Sequence, residues 1–201
     1  MPVDRRWFVA MAILFLPLLA GNAYGDSRYR WDLPVFSSPN GVITVVSAGG
    51  NASALAQDGS EITITGFGTF AVGDEDVTGG GTWKTVKADG VTVTGSGHFV
   101  VTGLIRFELA SGHLPFTFID RIGDITKTHA GLAHLRVAYD DGSKGILIIS
   151  CAAPGAPKTM FEGITASKGF VDYWNRLPPD EGSIIGSPNF TLFHLLSEEE
   201  D

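Results

Sequence analysis

A nine-residue pattern that occurs twice constrains the fold of this chain more than any other feature. Residues 62–70 read Ile-Thr-Ile-Thr-Gly-Phe-Gly-Thr-Phe, and residues 91–99, which begin 29 positions later, read Val-Thr-Val-Thr-Gly-Ser-Gly-His-Phe. Each copy alternates β-branched residues, which suit a pleated strand, and then breaks at Gly-x-Gly, where a strand bends, bulges or lets another backbone approach. The repeat therefore predicts two bent strands of an antiparallel sheet that curls.

A long strand and a hairpin follow the second copy of the repeat. Residues 99–109 place mostly apolar side chains at odd positions and mostly polar ones at even positions. This alternation is typical of a sheet with one face in solvent. Residues 134–139 and 145–151 are two strand-like runs joined by an Asp-Gly turn, which predicts a β-hairpin.

One segment has the pattern of a short helix. In residues 165–175, Ser167 is a candidate N-cap, and Phe170, Val171 and Trp174 have the spacing of an apolar helix face. The rest of the chain reads as about nine or ten short strands separated by turns. We therefore predict an all-β, antiparallel β-barrel of bent strands with at most one short helix, and a β-sandwich as the alternative. The barrel is favoured because glycines inside strands let a sheet bend until it closes, which removes exposed edges.

The N-terminal segment, residues 1–25, has the pattern of a secretory signal peptide. Arg5 and Arg6 form a positive start, an apolar run of 14 residues follows, and small residues stand at Ala23 and Gly25. The apolar run is shorter than the roughly 20 residues of a membrane-spanning helix. We expect a secreted or periplasmic protein with one domain at residues 26–196 and an acidic, disordered tail at residues 197–201.

The charge of the chain excludes two classes of partner. The net charge is −8, and it becomes −9 without residues 1–25, which contain one of the 22 acidic and two of the 14 basic residues. An acidic protein without a basic stripe repels the phosphate backbone of nucleic acids and does not bind anionic lipid surfaces. We therefore expect no nucleic-acid partner, and no membrane partner after signal removal.

With a single cysteine, Cys151, the chain has no intramolecular disulfide.

The usual catalytic signatures are missing from the sequence. It contains no Gly-x-Ser-x-Gly elbow, no His-Glu-x-x-His, no Cys-x-x-Cys, no phosphate loop and no dinucleotide fingerprint, so we expect no cofactor. His129 and His134 form the one close histidine pair, but no third ligand can be located, and we expect no metal site. Cys151 ends an apolar strand, where it is either a buried core thiol or a nucleophile activated by His134.

A set of polar and aromatic side chains forms the candidate ligand-binding site. The polar members lie on one face of the long strand and the hairpin, and the aromatic members could cap the mouth of a barrel. The candidates are His98, Arg106, Glu108, His134, Arg136, Tyr173 and Trp174. If they face outward, they are ordinary solvated residues. If they face inward, a barrel of about eight strands has room for one small ligand among them.

The Gly-rich residues 77–82 resemble the Gly-Gly-Thr-Gly strand-turn of the dirigent and allene oxide cyclase barrels. The resemblance covers these six residues only, and no residue role is carried over from it.

The sequence supports two hypotheses about function. The first is a secreted barrel that binds a small ligand or another surface. The second is a barrel enzyme of lyase or isomerase type that uses interior Arg, Glu and His side chains. The oligomeric state and any glycosylation at the acceptor patterns of Asn51 and Asn189 stay open.

Overall fold

The computed structural model describes residues 27–73 and 76–197, which form fourteen strands and one short 3-10 helix, Ile125–Lys127. The strands are β1 (Arg28–Asp32), β2 (Pro34–Ser37), β3 (Val45–Ala48), β4 (Asn51–Leu55), β5 (Glu61–Ala71), β6 (Val77–Val86), β7 (Val93–Ala110), β8 (Ile119–Asp120), β9 (Thr128–Tyr139), β10 (Lys144–Cys151), β11 (Gly163–Lys168), β12 (Val171–Tyr173), β13 (Asn175–Arg176) and β14 (Leu192–Ser197). The predicted signal peptide and tail residues 198–201 lie outside the described residues, whereas Ser197 ends β14.

Six strands close into a ring. In spatial order they are β1, β5, β6, β7, β9 and β14, and each pairs antiparallel with the next until β14 returns to β1. Strands β4 and β13 continue the sheet from β5, and strands β10, β11 and β12 continue it from β9. A separate small sheet contains β2, β3 and β8. The predicted all-β fold of bent antiparallel strands is confirmed, and so is the β9–β10 hairpin.

The two copies of the repeated pattern lie on either side of one strand. Copy one is in β5, copy two is in β7, and β6 pairs with both. Gly66 has φ +146°, and a Cβ there would overlap the carbonyl of Gly80 on β6. A Cβ at Gly97 would instead displace the carboxylate of Asp140. The glycines of both copies thus allow close contacts, with the backbone of β6 in the first copy and with a side chain in the second.

Aromatic side chains fill the interior of the ring. The ring of Phe107 lies 4.6 Å from that of Tyr29, 4.9 Å from that of Phe70 and 5.2 Å from that of Phe193, measured between centroids. Phe70 and Phe193 are fully buried. Offset and edge-on aromatic pairs at these separations add to the burial of apolar area. The interior is therefore a packed core.

Irregular pairing along β7 interrupts the expected alternation. The register between β7 and β9 shifts between Val101 and Gly103 and again between Leu104 and Arg106. Leu104, between the two shifts, and Phe107, after the second, pack against the core, while Ile105 at the second shift is exposed. An extra residue in one strand turns the following side chains to the other face, so strict alternation could not be extrapolated through Gly103.

The short helix predicted in residues 165–175 is wrong, because this segment is the β11–β12 hairpin. Ile164 and Ala166 are buried at every second position, which is strand periodicity. The Oγ of Ser167 accepts a hydrogen bond from the Ile146 N–H on β10, so Ser167 does not cap a helix. Gly169, at φ +59°, makes the turn. The proposed apolar helix stripe is exposed at Phe170 and Trp174.

Candidate ligand-binding site

The predicted polar pair on β7 faces solvent. Arg106 Nε donates to Glu108 Oε1 over 2.8 Å, and each side chain is 57% exposed. The neighbouring residue Phe107 points the other way, into the ring. Of the two alternatives for Arg106 and Glu108, the outward one holds, because aromatic rings occupy the interior of the ring.

The predicted basic residues share this outer face. His134 on β9 is opposite Arg106, and its pKa is lowered by burial and by the positive charge of Arg106. Arg136 follows on the same strand and lines a shallow surface depression with Lys144. His98 is 78% exposed, and its backbone N–H donates to Asp140 Oδ2 over 2.7 Å. These residues lie along an open sheet surface and do not surround an enclosed space.

The two predicted aromatic caps lie apart from the polar set. Tyr173 and Trp174 follow the turn after β11, and strands β10 and β11 separate β12 from β9. Tyr173 is buried and Trp174 is exposed. The structure therefore does not bring them together with Arg106 and Glu108.

A different part of the molecule contains an apolar pocket of about 330 Å³, partly open to solvent. It lies where the ends of β2, β10 and β14 meet the loops that follow β7, β10 and β13. Its lining is Phe36, Leu114, Pro115, Phe118, Cys151, Ala152, Ala153, Pro154, Glu162, Pro179, Ile184, Phe190 and Thr191. Three of these residues are prolines, which have no backbone N–H and so add little polar surface to the wall.

Glu162, immediately before β11, is the acidic group of this pocket. Its Oε2 accepts a hydrogen bond from the Ala152 N–H over 2.6 Å. Its Oε1 accepts from the Thr191 N–H over 2.6 Å. The Thr191 hydroxyl lies 3.0 Å from Oε1 and 2.8 Å from the Ser150 carbonyl, so these two acceptors share its one hydrogen. Burial raises the pKa of Glu162 from 4.5 to about 7, and the hydrogen bonds and the charge of Arg176 oppose this rise without cancelling it. The pocket thus has one carboxyl group that changes charge near neutral pH.

Cys151 lies beside Glu162 in the same pocket wall. The thiol is buried, which confirms the predicted core position. Burial raises the pKa of Cys151, and the charge of Glu162 raises it further. The suggested base, His134, is opposite Ile148 in the hairpin, whereas Cys151 is opposite Gly131. The pairing therefore keeps His134 away from the thiol, and the low reactivity of Cys151 stays a prediction.

A second buried carboxylate lies on the other side of β14 from the ring core. Asp120 Oδ2 and His194 Nε2 are 2.6 Å apart, and both side chains are 2% exposed. Asp120 Oδ1 accepts hydrogen bonds from the Ile122 and Gly123 N–H groups. These bonds hold the pKa of Asp120 below its usual value against the opposing effect of burial. Within residues 27–73 and 76–197, no group of three His, Cys, Asp or Glu side chains is arranged to hold a metal ion.

Sequence reasoning missed Glu162. The signal available in the sequence was a single acidic residue between Phe161 and the apolar start of β11. A carboxylate between apolar residues is easily buried when the chain folds.

Of the two glycosylation patterns, Asn51 is exposed. Asn189 is buried, and its amide accepts from the Ser53 N–H and donates to the Pro178 carbonyl, so the folded chain has no room for a glycan there.

No protein-family model, curated protein or solved structure matches this chain. No helix among the residues that the structure describes is long and apolar enough to cross a membrane.

Proposed function

We propose that this protein binds a small, mostly apolar molecule in the pocket beside Glu162. The observation that carries the proposal is the combination of an apolar wall with a single acidic group of shifted pKa. Ligand sites are typically apolar cavities of about 300–1,000 Å³ with a few placed polar groups, and a volume of about 330 Å³ is at the small end of that range. Together with the signal-peptide pattern, this points to capture of the ligand outside the cytoplasm.

A direct binding measurement tests the proposal. The apolar dye N-phenylnaphthylamine should gain fluorescence when it is titrated with the protein. The variant Ala152→Phe places a large ring in the pocket wall and should weaken dye binding at least tenfold. Ala88→Phe, in the exposed β6–β7 turn, is the matched control and should bind as the parent does. No binding by the parent protein, or unchanged binding by Ala152→Phe, would overturn the proposal.

A second candidate function is supported by the pKa of Glu162. A general base works best when its pKa is near the operating pH, and a value of about 7 meets that condition. In this version, an enzyme of lyase or isomerase type would use Glu162 in place of Arg106 and Glu108, which face solvent. This second function is tested by incubating the protein with cyclohexanone in heavy water. The exchange of the α-hydrogens of the ketone for deuterium is monitored by NMR. Exchange that is faster than in buffer and is lost in Glu162→Gln would favour the enzyme, and exchange at the buffer rate would exclude this base chemistry for the ketone.

A further inference from the structure

We infer that the ligand of this pocket carries a hydroxyl or amine hydrogen and donates it to Oε2 of Glu162. This inference rests on the proposed function, because it specifies the ligand of the same pocket. It follows from the hydrogen bonds that the carboxylate already makes and from the composition of the wall around it.

The carboxylate of Glu162 has an acceptor position left on Oε2. An ionised carboxylate has about four lone-pair positions, two on each oxygen. Oε1 accepts the N–H of Thr191, and it shares the single hydroxyl hydrogen of Thr191 with the carbonyl of Ser150, which is closer to that hydroxyl. Oε2 accepts one hydrogen bond, from the N–H of Ala152. Oε2 can therefore receive a further donor.

The surroundings favour a donor from the ligand over an acceptor. Two backbone N–H groups donate to the carboxylate, and each of these bonds favours its ionised form. The rest of the lining is mostly apolar. A ligand without a donor would cover this group and leave the acceptor position on Oε2 unsatisfied, which is costly for a charged group. A site of this kind rejects an analogue that lacks the hydrogen much more strongly than one that differs by a methylene.

Binding of such a ligand is linked to pH. The charged or titratable groups that act on Glu162 are the Cys151 thiol from β10 and Arg176 from β13. The thiol is neutral at physiological pH because burial raises its pKa, so Glu162 is the group of this pocket that titrates near neutral pH. A donated hydrogen bond stabilises the ionised carboxylate and lowers its pKa. Affinity is therefore highest above pH 7 and falls as the pH drops through about 7.

The experiment compares para-propylphenol with its methyl ether, which has nearly the same apolar body but no hydrogen to donate. Binding of each compound to the full protein is measured by isothermal titration calorimetry at pH of about 8 and about 5.5. We expect the phenol to bind about tenfold more tightly than the ether at the higher pH, and the advantage to shrink to less than about threefold at the lower pH. The phenol keeps its hydrogen at both values, since its pKa is about 10.

Two variants complete the test. Glu162→Gln keeps the shape of the side chain but has no charge, and it should remove both the advantage of the phenol and its pH dependence. Glu108→Gln removes an exposed carboxylate of the same type and should change neither. Equal binding of the two compounds at both pH values would overturn the inference and leave the proposed function standing. Binding of neither compound would count against both. The comparison on the parent protein decides the question even if Glu162→Gln fails to fold.

Discussion

The ring and the pocket are two apolar regions of the molecule that side chains fill to different extents. Phe193 of β14 packs into the ring against Phe70 and Phe107. Phe190 and Thr191, just before the same strand, line the open pocket. Unfilled space in a protein costs stability, roughly 24 cal/mol for each Å³ of cavity that is not relieved. Aromatic side chains fill the ring, whereas the pocket stays partly open beside the carboxylate of Glu162.

The two buried carboxylates show the same contrast. The side chain of Asp120 is enclosed by the protein. It forms hydrogen bonds with His194 and with two backbone N–H groups. Glu162 has backbone partners too, but it borders the pocket. The pKa values move in opposite directions, down for Asp120 and up for Glu162. The two carboxylates therefore differ in what lies beside them, a histidine ring at Asp120 and a partly open pocket at Glu162.

The largest effect is expected inside the ring. Phe70→Ala removes a fully buried ring that contacts Tyr29, Phe107 and Phe193, and it should lower the free energy of unfolding by about 3–5 kcal/mol. Phe190→Ala, in the pocket wall, should cost clearly less because the side chain is only partly buried. Urea denaturation of both variants measures the difference. Equal losses would remove the distinction between a filled ring and an open pocket.

The second prediction concerns the pH dependence of stability at Glu162. Its pKa is higher in the folded protein, about 7, than the ordinary 4.5, so folding favours the protonated form. The contribution of Glu162 to the free energy of unfolding totals roughly 3 kcal/mol. It is fully present below pH 4.5 and is lost as the pH rises towards 7. Relative to Glu162→Gln, which does not titrate, the parent protein should therefore lose stability over this range. Denaturation curves of both proteins at several pH values give the difference, and a constant difference would contradict a perturbed carboxyl.

The third prediction tests the close strand contacts that shape the ring. Gly66→Val should lower the free energy of unfolding by more than about 1 kcal/mol, because a Cβ would overlap the Gly80 carbonyl and φ is positive. Gly97→Val should also destabilise, since it displaces the Asp140 carboxylate that accepts from the His98 N–H. Thr92→Ser, an exposed position in the second copy, is the control and should stay within about 0.5 kcal/mol. Unchanged denaturation midpoints for the valine variants would show that these glycines are ordinary strand positions.

The smallest effect is expected for the exposed pair on β7. Arg106→Ala removes an ion pair whose members are both more than half exposed, and such pairs contribute about 0–1 kcal/mol at most. The variant should also leave dye binding in the pocket unchanged. Loss of dye binding in Arg106→Ala would place the binding site on the outer face of β7, with the candidate residues that the sequence indicated.

Two features of the sequence were sufficient for the fold class. The β-branched alternation and the Gly-x-Gly breaks of residues 62–70 and 91–99 depend on local backbone preferences, and the strands β5 and β7 contain them. The Asp-Gly turn at residues 141–142 likewise fixed the β9–β10 hairpin. The helix predicted near Ser167 failed because local spacing cannot show that neighbouring strands will take the backbone hydrogen bonds.

The sequence by itself determined an all-β chain of bent antiparallel strands with a buried Cys151, because turn chemistry, β propensity and apolarity are properties of short segments. Only the tertiary structure decided which side chains of β7 face inward between Val101 and Phe107, since a first register shift puts Leu104 on the core side and a second restores the original alternation at Phe107. The pocket was decided at the same level. Glu162 meets Ala152 across 10 positions of the chain and Thr191 across 29, and no local pattern encodes contacts between loops that meet only when the ring has closed.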